Sequence, residues 1–145
     1  MNLVHKQGEF LMVFDIDKTV QYWKEGAAYD LETGKTLLES RRFPYALFFG
    51  HLALEKILKA LLVKTTKDHA PFTHSLTFLA SKIKIEIPES ILDKFAEYTE
   101  FHIESRYPDE KRDFYRRCTQ EFAREKFAEI EEVYQWLIQK LQVSF

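Results

Sequence analysis

The sequence predicts an all-α fold, an antiparallel four-helix up-and-down bundle with one additional short helix. Three observations predict it. Apolar residues recur at helical spacing in four long stretches. Gly and Pro number only four each among 145 residues, so turns are few and the regular elements long. The polar connections between the periodic stretches are short, which makes consecutive helices antiparallel neighbours.

Residues 1–16 form an N-terminal arm or short strand. The run Phe10-Leu11-Met12-Val13-Phe14 is too short for periodicity to separate the two. The helical domain is expected over 17–145. Asp17 or Thr19 is the expected cap of the first helix, whose buried face carries Trp23, Ala27, Leu31, Gly34 and Leu38. Gly34 costs a helix interior about 1 kcal/mol relative to Ala, and close approach of a neighbouring helix is the expected reason for it. Arg41-Arg42-Phe43-Pro44 breaks the chain, and Pro44 suits the first turn of a second helix, where its missing N–H is no loss.

That second helix, to about Lys64, holds the run YALFFGHLALEKILKALL. Phe48, Phe49, Leu52, Leu54, Ile57, Leu58, Leu61 and Leu62 make it apolar on nearly every side, so it is expected to be buried. His51, Glu55 and Lys56 lie in its middle, and buried polar groups require partners. Residues 65–73 form a polar loop. A short third helix follows over about 74–83. A fourth starts at Pro88-Glu89-Ser90, places Ile91, Phe95, Tyr98 and His102 on one face, and stops before Pro108. The last, starting between Asp109 and Cys118, shows Phe122, Phe127, Ile130, Tyr134, Leu137 and Leu141. No repeat, linker or low-complexity tract interrupts this order.

One domain is expected from the length, burying roughly two thirds of the unfolded surface. The net charge of −2 gives no overall pull toward nucleic acid or an anionic membrane, so any anion site must be local. The single Cys118 excludes a disulfide framework and fits a reducing compartment. No membrane span is expected, the N-terminus lacks a signal-peptide cleavage pattern, and the cytoplasm is the expected location.

Four constellations bear on chemistry. Asp15-Ile16-Asp17-Lys18-Thr19 matches the D-x-D-x-T pattern of haloacid-dehalogenase-type phosphatases. That chemistry needs a parallel sheet the remaining sequence does not offer, so a polar helix start is preferred. His51 and Glu55 share a helix face, half of a metal site without a second half, and no metal or cofactor is expected. Arg106, Tyr107 and Asp109 sit where a helix is terminated. Arginine offers a planar fork for phosphate and tyrosine a stacking face, a pair suited to a nucleotide or a splayed RNA base. Against this stands a structural role, with Tyr107 filling the bundle end and Arg106 paired to Glu104. Lys111, Arg112, Arg116, Arg117, Arg124 and Lys126 are diluted by Asp113, Glu121 and Glu125, so a solvated, salt-bridged face is the commoner reading.

Taken together, HLALEKILKALL in the second helix, His74-Ser75-Leu76 after it, Arg106-Tyr107-Pro108 further on, and Trp23, Ala27, Asp30 and Leu31 in the first helix resemble the HEPN (higher eukaryotes and prokaryotes nucleotide-binding) domain family. The resemblance spans roughly residues 18–140. It implies a helical bundle that dimerises and handles nucleotides or RNA. Ribonuclease members carry an Arg followed four to six residues later by His. No arginine of this sequence has a histidine at that distance, and the resemblance therefore implies a non-catalytic branch, often a toxin–antitoxin or substrate-binding partner of a small nucleotidyltransferase. The expected ligand-binding set is Arg106, Tyr107 and Asp109, with His74, Lys56, Glu55 and His51 lining the same cleft. A homodimer is expected. Rival readings are a metal-independent ribonuclease with an atypical site and a protein-interaction module without ligand.

Overall fold

The computed structural model of the chain describes the backbone of residues 2–6 and 9–143 and the side chains of residues 14–107 and 111–143. Two strands, β1 (Asn2–Lys6) and β2 (Glu9–Val13), pair antiparallel with Leu3 opposite Met12 and His5 opposite Phe10. From Ile16 to Leu141 every regular element is helical. Asp15, rather than Asp17 or Thr19, caps α1 (Ile16–Glu39), its Oδ1 accepting from the Lys18 N–H at 3.0 Å. Thr19 instead donates its hydroxyl back to the Asp15 carbonyl at 2.7 Å. Asp15 is therefore a helix cap that follows an antiparallel hairpin, and no parallel sheet exists among the described residues to build a phosphatase site around it.

The α2 helix (Phe43–Thr66) starts with Pro44 in its first turn and ends at Lys67, which adopts left-handed geometry at φ 60°. It is buried along nearly its whole length, from Ala46 to Val63. This is what an all-round apolar helix requires, and α1, α3, α4 and α6 pack around it. Ser75 caps α3 (Leu76–Lys82) by accepting from the Phe78 N–H. Next comes α4 (Glu89–Glu104), which follows Pro88.

The end of the chain departs from the expected single helix. There are two, α5 (Pro108–Arg117) and α6 (Gln120–Leu141). Cys118 leaves helical geometry at ψ 66°, and the Thr119 hydroxyl accepts from the Phe122 N–H to start the second. A helix-breaking threonine cap inside an otherwise polar stretch carries little periodic signal, which is why one helix is expected from sequence where two exist. Tyr98, Phe95, Phe101, Phe114 and Phe127 are the largest fully buried side chains, and they join α4, α5 and α6 to the α2 core. Among the described residues no helix is long and apolar enough to cross a membrane.

At Gly34, α1 packs tightly against the Phe127 side chain of α6 and the backbone of α2. A Cβ built there would lie 2.7 Å from Phe127 Cε2 and 3.2 Å from the Ala46 carbonyl oxygen. Phe127 is fully buried and has nowhere to go. Overpacking of this kind costs about 1–3 kcal/mol, against which alanine's helix preference returns about 1 kcal/mol. Gly34→Ala is expected to lower the urea midpoint of unfolding. A variant as stable as the parent would mean that the helices part at no cost.

Candidate functional site

The polar groups of α2 fall on two sides of the helix. His51, Glu55 and Lys59 lie one turn apart on one stripe, all buried. Lys59 Nζ reaches Glu55 Oε2 at 3.0 Å, and both side chains are less than one tenth exposed. A buried carboxylate with a buried ammonium satisfies the demand that a charge in an apolar helix be paired. On its outer side Lys59 lies over the Trp23 ring of α1, 5.0 Å from the centroid. Lys56, on the neighbouring face, turns the other way and pairs with the buried Asp30 of α1, Nζ to Oδ2 at 2.7 Å.

The segment between α2 and α3 brings His74 to this stripe. Its end, where α3 begins, is fixed by two hydrogen bonds. The Ser75 N–H donates to Thr73 Oγ1 at 3.1 Å, and the Leu76 N–H donates to Thr99 Oγ1 of α4 at 3.2 Å. His74 Nδ1 then meets Glu55 Oε1 at 2.8 Å, and the His74 carbonyl meets His51 Nε2 at 2.8 Å. His102, from the last turn of α4, stacks on the His74 ring with centroids 4.3 Å apart. It also lies 4.9 Å from the His51 ring and 5.2 Å from Phe48. Three histidines from three segments thus form one cluster beside Glu55.

The partners fix the protons. A carbonyl only accepts, so His51 Nε2 carries its hydrogen and Nδ1 keeps a lone pair, buried without a hydrogen-bond partner. Burial, together with the nearby rings of His102 and His74, holds His51 down to about 4 despite its bond to the His74 carbonyl and the Glu55 charge. Burial holds His102 to about 4 as well, reinforced by His74 and by the positive charge of Arg106. Both are neutral at pH 7. A carboxylate likewise accepts, so His74 donates from Nδ1 to Glu55. Its Nε2 is then the nitrogen left available on a side chain 45% exposed.

Of the residues expected from sequence, the fold brings His51, Glu55 and His74 together. Arg106 follows α4 directly. It is exposed, and close enough to His102 for its charge to act there. It does not pair with Glu104, which Arg117 holds at 2.9 Å instead. Tyr107 is 60% exposed and does not plug the bundle end. Asp109 is in the first turn of α5, and its side chain lies outside the described residues. Lys56 faces α1, where it pairs with Asp30, and does not join the histidine cluster. Three of the six residues of the basic cluster of α5 and α6 are in ion pairs: Arg117 with Glu104, Arg116 with Asp113, and Lys126 with Glu97 and Glu129. Sequence reasoning missed His102 and Lys59 as members. His102 occupied a core position of the fourth helix, where a titratable side chain on an apolar stripe is the signal, and Lys59 stands four residues after Glu55.

Chemically the cluster offers a carboxylate-oriented imidazole with one open nitrogen, a second, neutral imidazole stacked on it, and a cationic guanidinium at the rim. Among the described residues no three His, Cys, Asp or Glu side chains converge to hold a metal ion.

The comparisons with known proteins agree with this architecture. The family model described as the HEPN domain matches residues 20–141. Two solved structures superpose on the chain. TT1696 from Thermus thermophilus is 21% identical, with a TM-score of 0.72 over 83% of this chain and 97% of that one. ST0689, an archaeal HEPN homologue, is 23% identical, with a TM-score of 0.68 over 85% of this chain and 98% of its own. At such identities the likeness speaks for the fold. No curated protein matches the chain.

Proposed function

This chain belongs to the HEPN domain family, whose function is nucleotide- or RNA-related, and on that premise we propose that it binds a nucleotide or RNA at the histidine cluster as the partner of a small nucleotidyltransferase. The observation that carries the reading is the cluster itself: Glu55, His74, His102 and His51 gathered beside an unburied Arg106. In the proposed site Arg106 holds phosphate, Tyr107 stacks on a base, and His74 Nε2 gives or accepts a hydrogen bond at the ligand. Glu55 and His51 fix His74 from behind through its side chain and its carbonyl. Asp109 stays in the proposed set by its place in the chain, whereas Lys56 acts on the α1 side. The nucleotidyltransferase partnership, of toxin–antitoxin or substrate-binding type, and a homodimer follow from the family resemblance. They are tested by co-expression with a nucleotidyltransferase and by light scattering of the purified protein.

The direct test is thermal unfolding across a panel of nucleotides and short RNAs. A ligand at a hundred times its dissociation constant adds about 2.7 kcal/mol to the folded state, raising the midpoint by on the order of 5 °C. Arg106→Ala is expected to weaken binding roughly tenfold or more, because a charged hydrogen bond to phosphate is worth about 1.5–3 kcal/mol. Arg106 is exposed, so the fold itself should be unaffected. Unchanged affinity in Arg106→Ala would remove that residue from the site.

One observation favours a second reading. Glu55 and His74 make a carboxylate–imidazole pair, the arrangement that orients a general base. Metal-independent RNA cleavage would then proceed at His74 Nε2. The expected result under this reading is RNA cleavage by the purified protein in excess chelator, lost in His74→Ala and reduced in Glu55→Gln. Intact RNA after prolonged incubation would leave binding alone.

A further inference from the structure

A second hollow adjoins Trp23 at the start of α1. Phe14, the first turns of α1 (Lys18, Thr19, Tyr22, Trp23) and the start of the α2–α3 segment (His69, Ala70) enclose a hollow of about 300 Å³. Phe14 and His69 pack ring on ring, with centroids 4.0 Å apart, and form one wall. Tyr22 and Trp23 meet edge to face at 5.2 Å and form the other. The hollow continues along α1 into a shallower depression of about 270 Å³ bounded by Tyr22, Trp23, Gly26, Tyr29 and Lys56. Tyr22 is 68% exposed and Tyr29 76% exposed. A soluble surface seldom groups so many large rings without a use for them.

The walls select a ligand. Four aromatic side chains bordering one hollow suit either a cation or a planar ring. The local charge decides between them. Lys59 already lies over one face of Trp23, Lys18 borders the hollow and Lys56 the adjoining depression. Lys56 and Lys59 are already paired with Asp30 and Glu55, and the lining of the hollow includes Lys18 and no carboxylate, so a cation would gain no anionic partner there and a neutral ring is favoured. The volume is at the lower end of ligand pockets, about 300–1,000 Å³. It suits one flat ring system. We propose that the hollow between Trp23, Tyr22, Phe14 and His69 is a stacking site for a single neutral heteroaromatic ring of the nucleobase type. It is separate from the histidine cluster. The choice of a nucleobase rests on the nucleotide- or RNA-related reading above; the existence of the stacking site does not.

The chain contains two tryptophans, Trp23 and Trp136. Trp136 lies on α6, in the surroundings of Glu131 and Gln139 and away from this hollow. In Trp136→Phe, Trp23 is the sole indole emitter and reports the site directly. Adenosine, uridine and an oligoadenylate hexamer are titrated into this protein. Saturable quenching of Trp23 emission is expected. Added to Trp136→Phe, Tyr22→Ala and His69→Ala are each expected to weaken it about five- to a hundredfold, the range lost when one stacking partner is removed. Both residues are exposed, so these variants keep the fold. Arg106→Ala in the same background is expected to leave the adenosine titration unchanged, which separates this site from the proposed phosphate-binding one. Quenching by adenosine alone would name a free nucleoside or nucleotide as the occupant. Tighter quenching by the hexamer would name a base within a strand. No quenching by any of the three at millimolar concentration overturns the proposal. So does quenching that survives both Tyr22→Ala and His69→Ala.

Discussion

Glu55→Ala is expected to destabilise the fold by about 3–5 kcal/mol, the cost of removing one partner from a buried ion pair. Lys59 would keep its charge in a site where its side chain is 7% exposed, with only the Trp23 face for company. His74 would lose the acceptor of its Nδ1–H. Chemical denaturation of the two proteins gives the difference directly. A loss below about 1 kcal/mol, the value of an exposed pair, would mean that this pair is solvated in solution. Glu55→Gln should cost less, because its amide oxygen can still accept from one of the two donors, although its NH2 then faces the other. Replacing the pair together, as Glu55→Leu with Lys59→Met, should recover most of the loss, since the penalty arises from the charge left alone. The pair is therefore better regarded as orienting His74 than as holding the bundle together.

Acidification is expected to have the next largest effect. His51 is held to about 4 in the fold, against an ordinary value of 6.5. Above pH 6.5 it is neutral in both folded and unfolded chains and costs nothing. As pH falls below 6.5 the unfolded chain takes up a proton that the fold refuses, so stability declines until about pH 4, where the folded form also protonates. The separation is worth on the order of 3 kcal/mol for this fully buried ring. His102 is held to about 4 by burial and by its charged neighbours, and it adds a loss in the same window. Urea midpoints measured from pH 7 to pH 4 should fall, with a shallower slope in His51→Gln. Proton resonances of the five imidazoles should show two titrating near 4. If those two titrate near 6.5 instead, the cluster is open to water. Loosening of the cluster at low pH would also release His74, whose carbonyl and ring are each held by a member of it.

The helical architecture was legible because its signals are local. The spacing of Trp23, Ala27, Leu31, Gly34 and Leu38 belongs to one face of one helix. The all-round apolar run of α2 fixes it at the centre of the bundle, since burial is its only stable state. Gly34 pointed to a close crossing before any neighbour was known. Where the sequence reading was incomplete, the cause was also local. Thr119 can cap a helix or sit within one, and only the Cys118 backbone turn makes it a cap.

The site was half legible. A histidine and a glutamate in the middle of an apolar helix require partners, and that requirement is present in the sequence. The identity of the partners is not. Glu55 and His74 are 19 residues apart, and His51 and His102 lie on different helices. Their meeting depends on the rotation of α2 about its axis and on the Thr99 bond that anchors the start of α3. The same rotation sends Lys56 to Asp30 and away from the cluster that its neighbour Glu55 helps to build. Sequence alone thus determined which elements form and which polar groups must be satisfied, because periodicity and burial act residue by residue. Tertiary structure alone decided which charges meet, because pairing depends on how several helices are turned toward one another.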